Sequence, residues 1–203
     1  FTGELIHRLE GSAQAQFEYP VVGAPSVYPG GEAAAEQVYV GDKLGQLWRV
    51  DMSGDVPSAW SLSRMWPIGQ QNAAGVGAID NNAAALLERG LGFSIIERPS
   101  LSRAPNNDLV VLFATSGQKV GALPEGVDEA SAGYMVSMRE RSGVDDQGRA
   151  YIIMSTNWVL DFAATEEATS APKVKDGVVY LTTSRESAQQ ECGKSVGLEG
   201  RLY

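Results

Sequence analysis

A chain of 203 residues with 43% hydrophobic content is long enough for one globular unit with a sizeable core, and no stretch is apolar over a bilayer-spanning length. A formal net charge of −9 argues against binding a nucleic-acid backbone, which calls for a basic face, and against docking on an anionic membrane by charge. Twenty-three glycines with few long helical patterns point to a β-rich, turn-rich protein.

The chain opens at Phe1 without a charged start, an apolar run or a cleavage site, which reads as a cytoplasmic chain or one whose true N-terminus lies further upstream. Thr2–Leu9 alternates as a strand, and it holds the single histidine, His7, which cannot build a catalytic or metal constellation alone. Ala24–Tyr28 reads as a strand led by Pro25, a residue suited to the first position of a strand. Val38–Gly54 is a strand pair, Val38–Gly41 and Gln46–Asp51, joined by the turn Asp42–Gly45. Its alternation sets Leu47 and Arg49 on one face and Trp48 and Val50 on the other. Asp42 and Asp51, each at a strand end, suit the capping of turn amides. Ala59–Ile68 alternates as a fourth strand, with Trp60, Leu62, Arg64 and Trp66 on one side.

The same order recurs downstream. Pro25, Pro99 and Pro172 return at a period of roughly 74 residues, each leading a strand. Each is followed by an apolar strand (Val38–Val40, Leu109–Phe113, Val178–Leu181) and then by a glycine before apolar or aromatic residues (Gly45–Trp48, Gly133–Val136, Gly200–Tyr203). A repeated four-stranded meander is the unit of a β-propeller. The expected fold is therefore all-β: a propeller fragment of about three four-stranded blades near 24–68, 98–162 and 171–203, with a strand at 2–10 from a preceding blade. Three blades are fewer than the usual minimum of about four. The remaining blades are expected from sequence outside the chain or from another chain.

Two insertions lengthen the repeat. In Gln70–Gly90, Asn82 can cap a short helix over Ala83–Arg89, which contains Glu88, and Gly90 can end it. Val120–Ala132, with Glu125 and Asp128, reads as an acidic surface loop. Asp145–Gly148 reads as a hairpin turn between strands Tyr134–Met138 and Ala150–Met154. Trp48, Trp60, Trp66 and Trp158 suit blade packing, and the lone Cys192 can form no internal disulfide.

The segment VYVGDKLGQLWRVDMSG resembles the repeat of the PilY family of type IV pilus-associated proteins, whose C-terminal propeller carries strands of the form vYaGDl-x-GnLWrfDlsg. RPSLSR...DLVVLFATSGQ and APKVKDGVVYLTTSRESAQQECGKSVGLEGRLY are similar to later segments of that propeller, in the same order. The resemblance implies an exported, non-enzymatic protein of the cell surface or pilus tip. Its partners would be minor pilins, and its roles pilus biogenesis, adhesion and twitching motility. It also implies that Asp42, Gly45, Trp48 and Asp51 build the blade, while Asn82, Glu88, Glu125 and Asp128 lie on loops available for contacts. Family members often carry an Asp-rich calcium loop just before the vYaGD strand. Pro29–Gln37 here offers only Glu32 and Glu36, too few oxygen ligands for calcium, so no cofactor is expected. Thr2–Leu5, Ala24–Pro25 and Gly45–Trp48 also look like repeats of quinoprotein-type propellers, some of which are pyrroloquinoline quinone dehydrogenases and others outer-membrane assembly scaffolds. The ligand set that a cofactor would need is missing from the sequence.

Overall fold

The computed structural model describes residues 19–29, 35–66, 76–77, 92–116, 132–144, 150–186 and 198–202. The strand expected at 2–10, the helix expected over Ala83–Arg89, the loop Val120–Ala132 apart from its last residue, the turn Asp145–Gly148, His7 and Cys192 lie outside the described residues.

The described chain is all-β and arranged in antiparallel meanders. In the first sheet, β1 (Ser26–Pro29), β2 (Ala35–Gly41), β3 (Leu47–Asp51) and β4 (Ser61–Trp66) pair in chain order. The second is built from β6 (Ser100–Arg103), β7 (Leu109–Ala114), β8 (Tyr134–Val144) and β9 (Ala150–Asp161), again in order. A fifth strand, β5 (Val76–Gly77), adds in parallel to β9. Strands β8 and β9 run well beyond the expected Tyr134–Met138 and Ala150–Met154: they pair from Tyr134↔Asp161 to Val144↔Ala150, with one bulge where the register shifts between Ser137 and Met138.

The third group is divided among the described residues. Strands β10 (Glu166–Ala168), β13 (Thr182–Glu186) and β14 (Leu198–Leu202) form one sheet, and β11 (Lys173–Lys175) pairs with β12 (Val178–Tyr180) in another. The turn joining β11 to β12 places Asp176 at φ 53° and Gly177 at φ 77°. Positive φ at both central residues is the twist-matched two-residue turn that Asp-Gly favours.

One expectation fails at the end of β4. The register shifts between Leu47↔Trp66 and Trp48↔Arg64, so an extra residue is accommodated opposite β3. Past that bulge the faces exchange, since the side-chain period of a strand is two. Leu62 therefore packs with Val40 and Trp48 on one face, while Trp66 joins the core on the other. Trp60 precedes the strand, after a single 3-10 turn at Pro57–Ala59, and donates its indole N–H to the Gly54 carbonyl.

The main core lies between the first two sheets: Tyr39, Leu47, Met65 and Trp66 meet Val111, Phe113, Tyr134, Val136 and Met138. Trp66 stands edge-on to Phe113 at 5.9 Å and donates to the Tyr134 hydroxyl at 3.0 Å, which satisfies its one buried polar atom. A second core of Ala114, Met135, Phe162, Ala168 and Leu181 joins the opposite face of the second sheet to the third group. The strand period explains this two-sidedness. Val111 and Phe113 point one way from β7 and Ala114 the other.

Candidate functional site

The described residues concentrate charge at one place, the seam between the first two sheets. Arg49 and Tyr39 are cross-strand partners on the seam face of the first sheet, and Gln37 and Asp51 form the next such pair. From the second sheet, Glu140 stands on the face of β8 that carries Tyr134, Val136 and Met138. Tyr39 donates to Glu140 Oε2 at 2.5 Å, and Gln37 Nε2 donates to Oε1 at 3.1 Å. Arg49 approaches both oxygens, with Nε 3.1 Å from Oε2 and Nη2 3.3 Å from Oε1, and its Nη1 pairs with Asp51 at 2.9 Å.

Burial opposes the charge of Arg49, but the Glu140 carboxylate first, then Tyr39 and the Asp51 carboxylate, outweigh it and raise its pKa. For Tyr39, burial and then the Glu140 charge push the phenol far above its ordinary value of 10.0, so it remains a donor throughout the physiological range. Glu140 thus accepts from three side chains, and the cluster works as a lock between sheets.

A polar cleft of about 360 Å³ opens beside this lock, lined in part by Tyr28, Gln37, Arg103, Asn106, Asp108 and Glu140. Its wall is pinned across the same seam. The Arg103 guanidinium lies 5.1 Å from the Tyr28 ring centre, Nη2 donates to the Tyr28 hydroxyl, and Nη1 donates to the Asn107 carbonyl at 2.8 Å. Asp108 is held by Asn106 Nδ2 at 2.7 Å and Arg141 Nε at 2.9 Å.

Asp42 is buried in the turn between β2 and β3. Its Oδ1 accepts the Leu44 and Gln46 amides at 2.9 and 2.8 Å, and its Oδ2 accepts the Trp48 indole N–H at 2.9 Å. Burial raises its pKa against the pull of these donors. Gly45, at φ 95°, brings the turn close to the second unit: a Cβ there would sit 2.4 Å from the Phe93 carbonyl oxygen. Asp51 caps the next turn, its Oδ1 accepting the Ser53 amide at 3.0 Å. Of the sequence-selected positions, then, Asp42, Gly45 and Trp48 come together in one turn, and Asp51 lies apart from them in the seam lock. Asn82, Glu88, Glu125 and Asp128 lie outside the described residues. Glu140, Tyr39 and the Arg103–Tyr28 pair escaped the sequence reading. The signal for Glu140 was available, because alternation along Tyr134, Val136, Met138 and Glu140 sets a carboxylate on an apolar face. Among the described residues no three His, Cys, Asp or Glu side chains gather to hold a metal ion.

The units meet through contacts that recur. Ser26 Oγ donates to the Pro99 carbonyl, and Ser100 Oγ donates to the Pro172 carbonyl. The Ile95 amide donates to the Asp42 carbonyl at 3.0 Å, and the Ala168 amide to the Thr115 carbonyl at 3.4 Å. Gly45 lies against Phe93, and Gly133 against Glu166. In every pair the second contact is the first moved on by one repeat. Compared with known protein families, curated proteins and solved structures, the chain matches none of them.

Proposed function

We propose that the chain is a β-propeller portion of a non-enzymatic type IV pilus-associated protein, similar to the PilY family, acting as a rigid scaffold at the cell surface or pilus tip. The observation that carries the reading is the pair Ser26–Pro99 and Ser100–Pro172. Proline-led strands that abut one another, β1 and β6 each opening a meander and β11 a hairpin, are what radial stacking of blades requires. The three strands β1, β6 and β11 follow one another in this way.

A scaffold reading also accounts for the seam. Its charged side chains are spent on one another, Glu140 on Tyr39, Gln37 and Arg49, and Asp108 on Asn106 and Arg141. Such a network fixes the angle between sheets and leaves contact surface to connecting loops. Partners would be minor pilins of the tip complex, and the role would be support of pilus biogenesis, adhesion and twitching motility.

The test is an in-frame deletion of this segment from its gene, with surface piliation, twitching and co-purification with minor pilins as readouts. The expected result is loss of all three. Normal piliation and twitching after the deletion, with no co-purification of minor pilins by the undeleted protein, would sink the reading.

A further inference from the structure

We infer that the polar cleft at the seam binds a neutral saccharide, held between the turn that joins β6 to β7 and the facing ends of β1 and β2. The site stands on the geometry of the seam and not on the pilus reading.

The turn is where the units differ. Strands β11 and β12 are joined by two residues, Asp176 and Gly177, which is all that an antiparallel pair requires. The same connection between β6 and β7 runs over residues 104–108 and sets two carboxamides and a carboxylate, Asn106, Asn107 and Asp108, along the cleft. Asn107 takes a left-handed backbone there, at φ 71°. Its carbonyl accepts from Arg103, while its own carboxamide has no partner among the described residues.

The other walls are held in place and yet keep bonding capacity toward the cleft. Tyr28 accepts from Arg103, which leaves its phenol proton to donate. Asp108 accepts Asn106 and Arg141 on Oδ2, and its Oδ1 has no donor among the described residues. The Glu36 carboxylate has none either. Arg103 donates once from each terminal nitrogen, to Tyr28 and to Asn107, so further N–H groups remain. Side chains ordered before a ligand arrives lower the cost of binding it.

Charge decides the class of ligand. Glu140 is offset by Arg49 and Asp108 by Arg141, and the two charges left along the cleft, Arg103 and Glu36, are of opposite sign. A cleft without net charge gives an ion no advantage. Both terminal nitrogens of Arg103 are already engaged, so no vacant fork awaits a carboxylate or a phosphate. What remains is a mixture of donors and acceptors, which suits hydroxyl groups, since each of them donates and accepts. The volume, about 360 Å³, lies at the low end of the roughly 300–1,000 Å³ of small-molecule sites, as a ligand of sugar-ring size requires.

Saturation-transfer NMR on the whole chain is the test, with glucose, galactose, mannose and N-acetylglucosamine as probes, each free and as its methyl glycoside, beside methyl phosphate and glycine. At least one neutral sugar should give a saturable signal, and the two charged probes none. Binding of the methyl glycoside identifies the end of a glycan as the source, and binding of the free sugar alone identifies a free saccharide. Asn107→Gly keeps the backbone conformation and the carbonyl that holds Arg103, and removes only the carboxamide. Glu36→Ala removes the unpartnered carboxylate. Each should weaken the sugar at least about tenfold, the loss of one hydrogen bond to a charged group or of a paired carboxamide. Neither side chain has a partner among the described residues, so circular dichroism and melting temperature should match wild type. No signal from any neutral sugar, a signal from methyl phosphate or glycine that Asn107→Gly abolishes, or sugar binding unchanged in either variant would overturn the proposal. None of these outcomes bears on piliation or on co-purification with minor pilins, so the scaffold reading stands or falls separately.

Discussion

Tyr39 of the first sheet donates its phenol proton to Glu140 of the second at 2.5 Å, across 101 positions of sequence. Glu140 also neutralises Arg49, whose side chain is almost fully buried. Removing the carboxylate strands a buried cation with Asp51 as its remaining partner. Glu140→Ala should therefore cost about 3–5 kcal/mol in urea unfolding. Arg49→Met combined with Glu140→Leu should cost less than the two single changes added together, because neither charge is then left uncompensated. Simple additivity would refute the coupling.

The same bond predicts alkaline sensitivity. Tyr39 titrates far above its ordinary value of 10.0, chiefly through burial and then through the Glu140 charge. A raised folded pKa gives stability that is complete below the unfolded value and is lost as pH rises above it, because the unfolded chain then holds fewer protons. Wild type should lose stability above about pH 10, and Tyr39→Phe should lose less over the same interval. Equal slopes for the two proteins would remove Tyr39 as the cause.

Much of this was legible from local pattern. The prolines at 25, 99 and 172 mark strands that the structure sets side by side, and the turn aspartates Asp42 and Asp51 accept the amides that their positions suggested. The alternation that set Arg49 beside Leu47 was also correct, since both face the seam. What was not legible depends on distant partners or on a one-residue slip. Glu140 makes a buried lock only because Arg49 arrives from another sheet, and Trp66 changes face because a bulge interrupts an alternating strand. The bulge leaves no mark in the strand's own residues, and the alternation that sets Glu140 on an apolar face does not say which cation meets it.

Gly45 and Gly177 offer a controlled comparison of backbone strain with steric contact. Both have positive φ, 95° and 77°. A Cβ at Gly45 would meet the Phe93 carbonyl oxygen at 2.4 Å, whereas nothing lies within 4 Å of one at Gly177. Gly177→Ala should cost only the conformational term, about 1 kcal/mol. Gly45→Ala should exceed it by about 1–3 kcal/mol, since backbone of the second unit must move. Equal losses in chemical denaturation would show that the turn and the second unit are not in tight contact.

Asp42 and Asp51 should pull the acid stability profile in opposite directions. Burial opposes the Asp51 charge, but the Ser53 hydroxyl and amide and the Arg49 charge together hold its pKa below the ordinary 3.8. A depressed folded pKa gives stability that is complete above the unfolded value and is lost as pH falls through the folded one. Asp51→Asn should thus flatten the decline of stability below about pH 4. Asp42 has the reverse sign. Burial raises its pKa above 3.8, so its protonation favours the native state at low pH, and that contribution fades as pH rises through the folded value. Asp42→Asn should make stability rise more steeply with pH just above about 4, even though the level falls because an amide NH₂ now faces the Trp48 donor. The slopes of unfolding free energy against pH, measured by urea titration at several pH values, separate the two residues. Slopes that shift in the same direction for both variants would contradict the opposed environments of the two carboxylates.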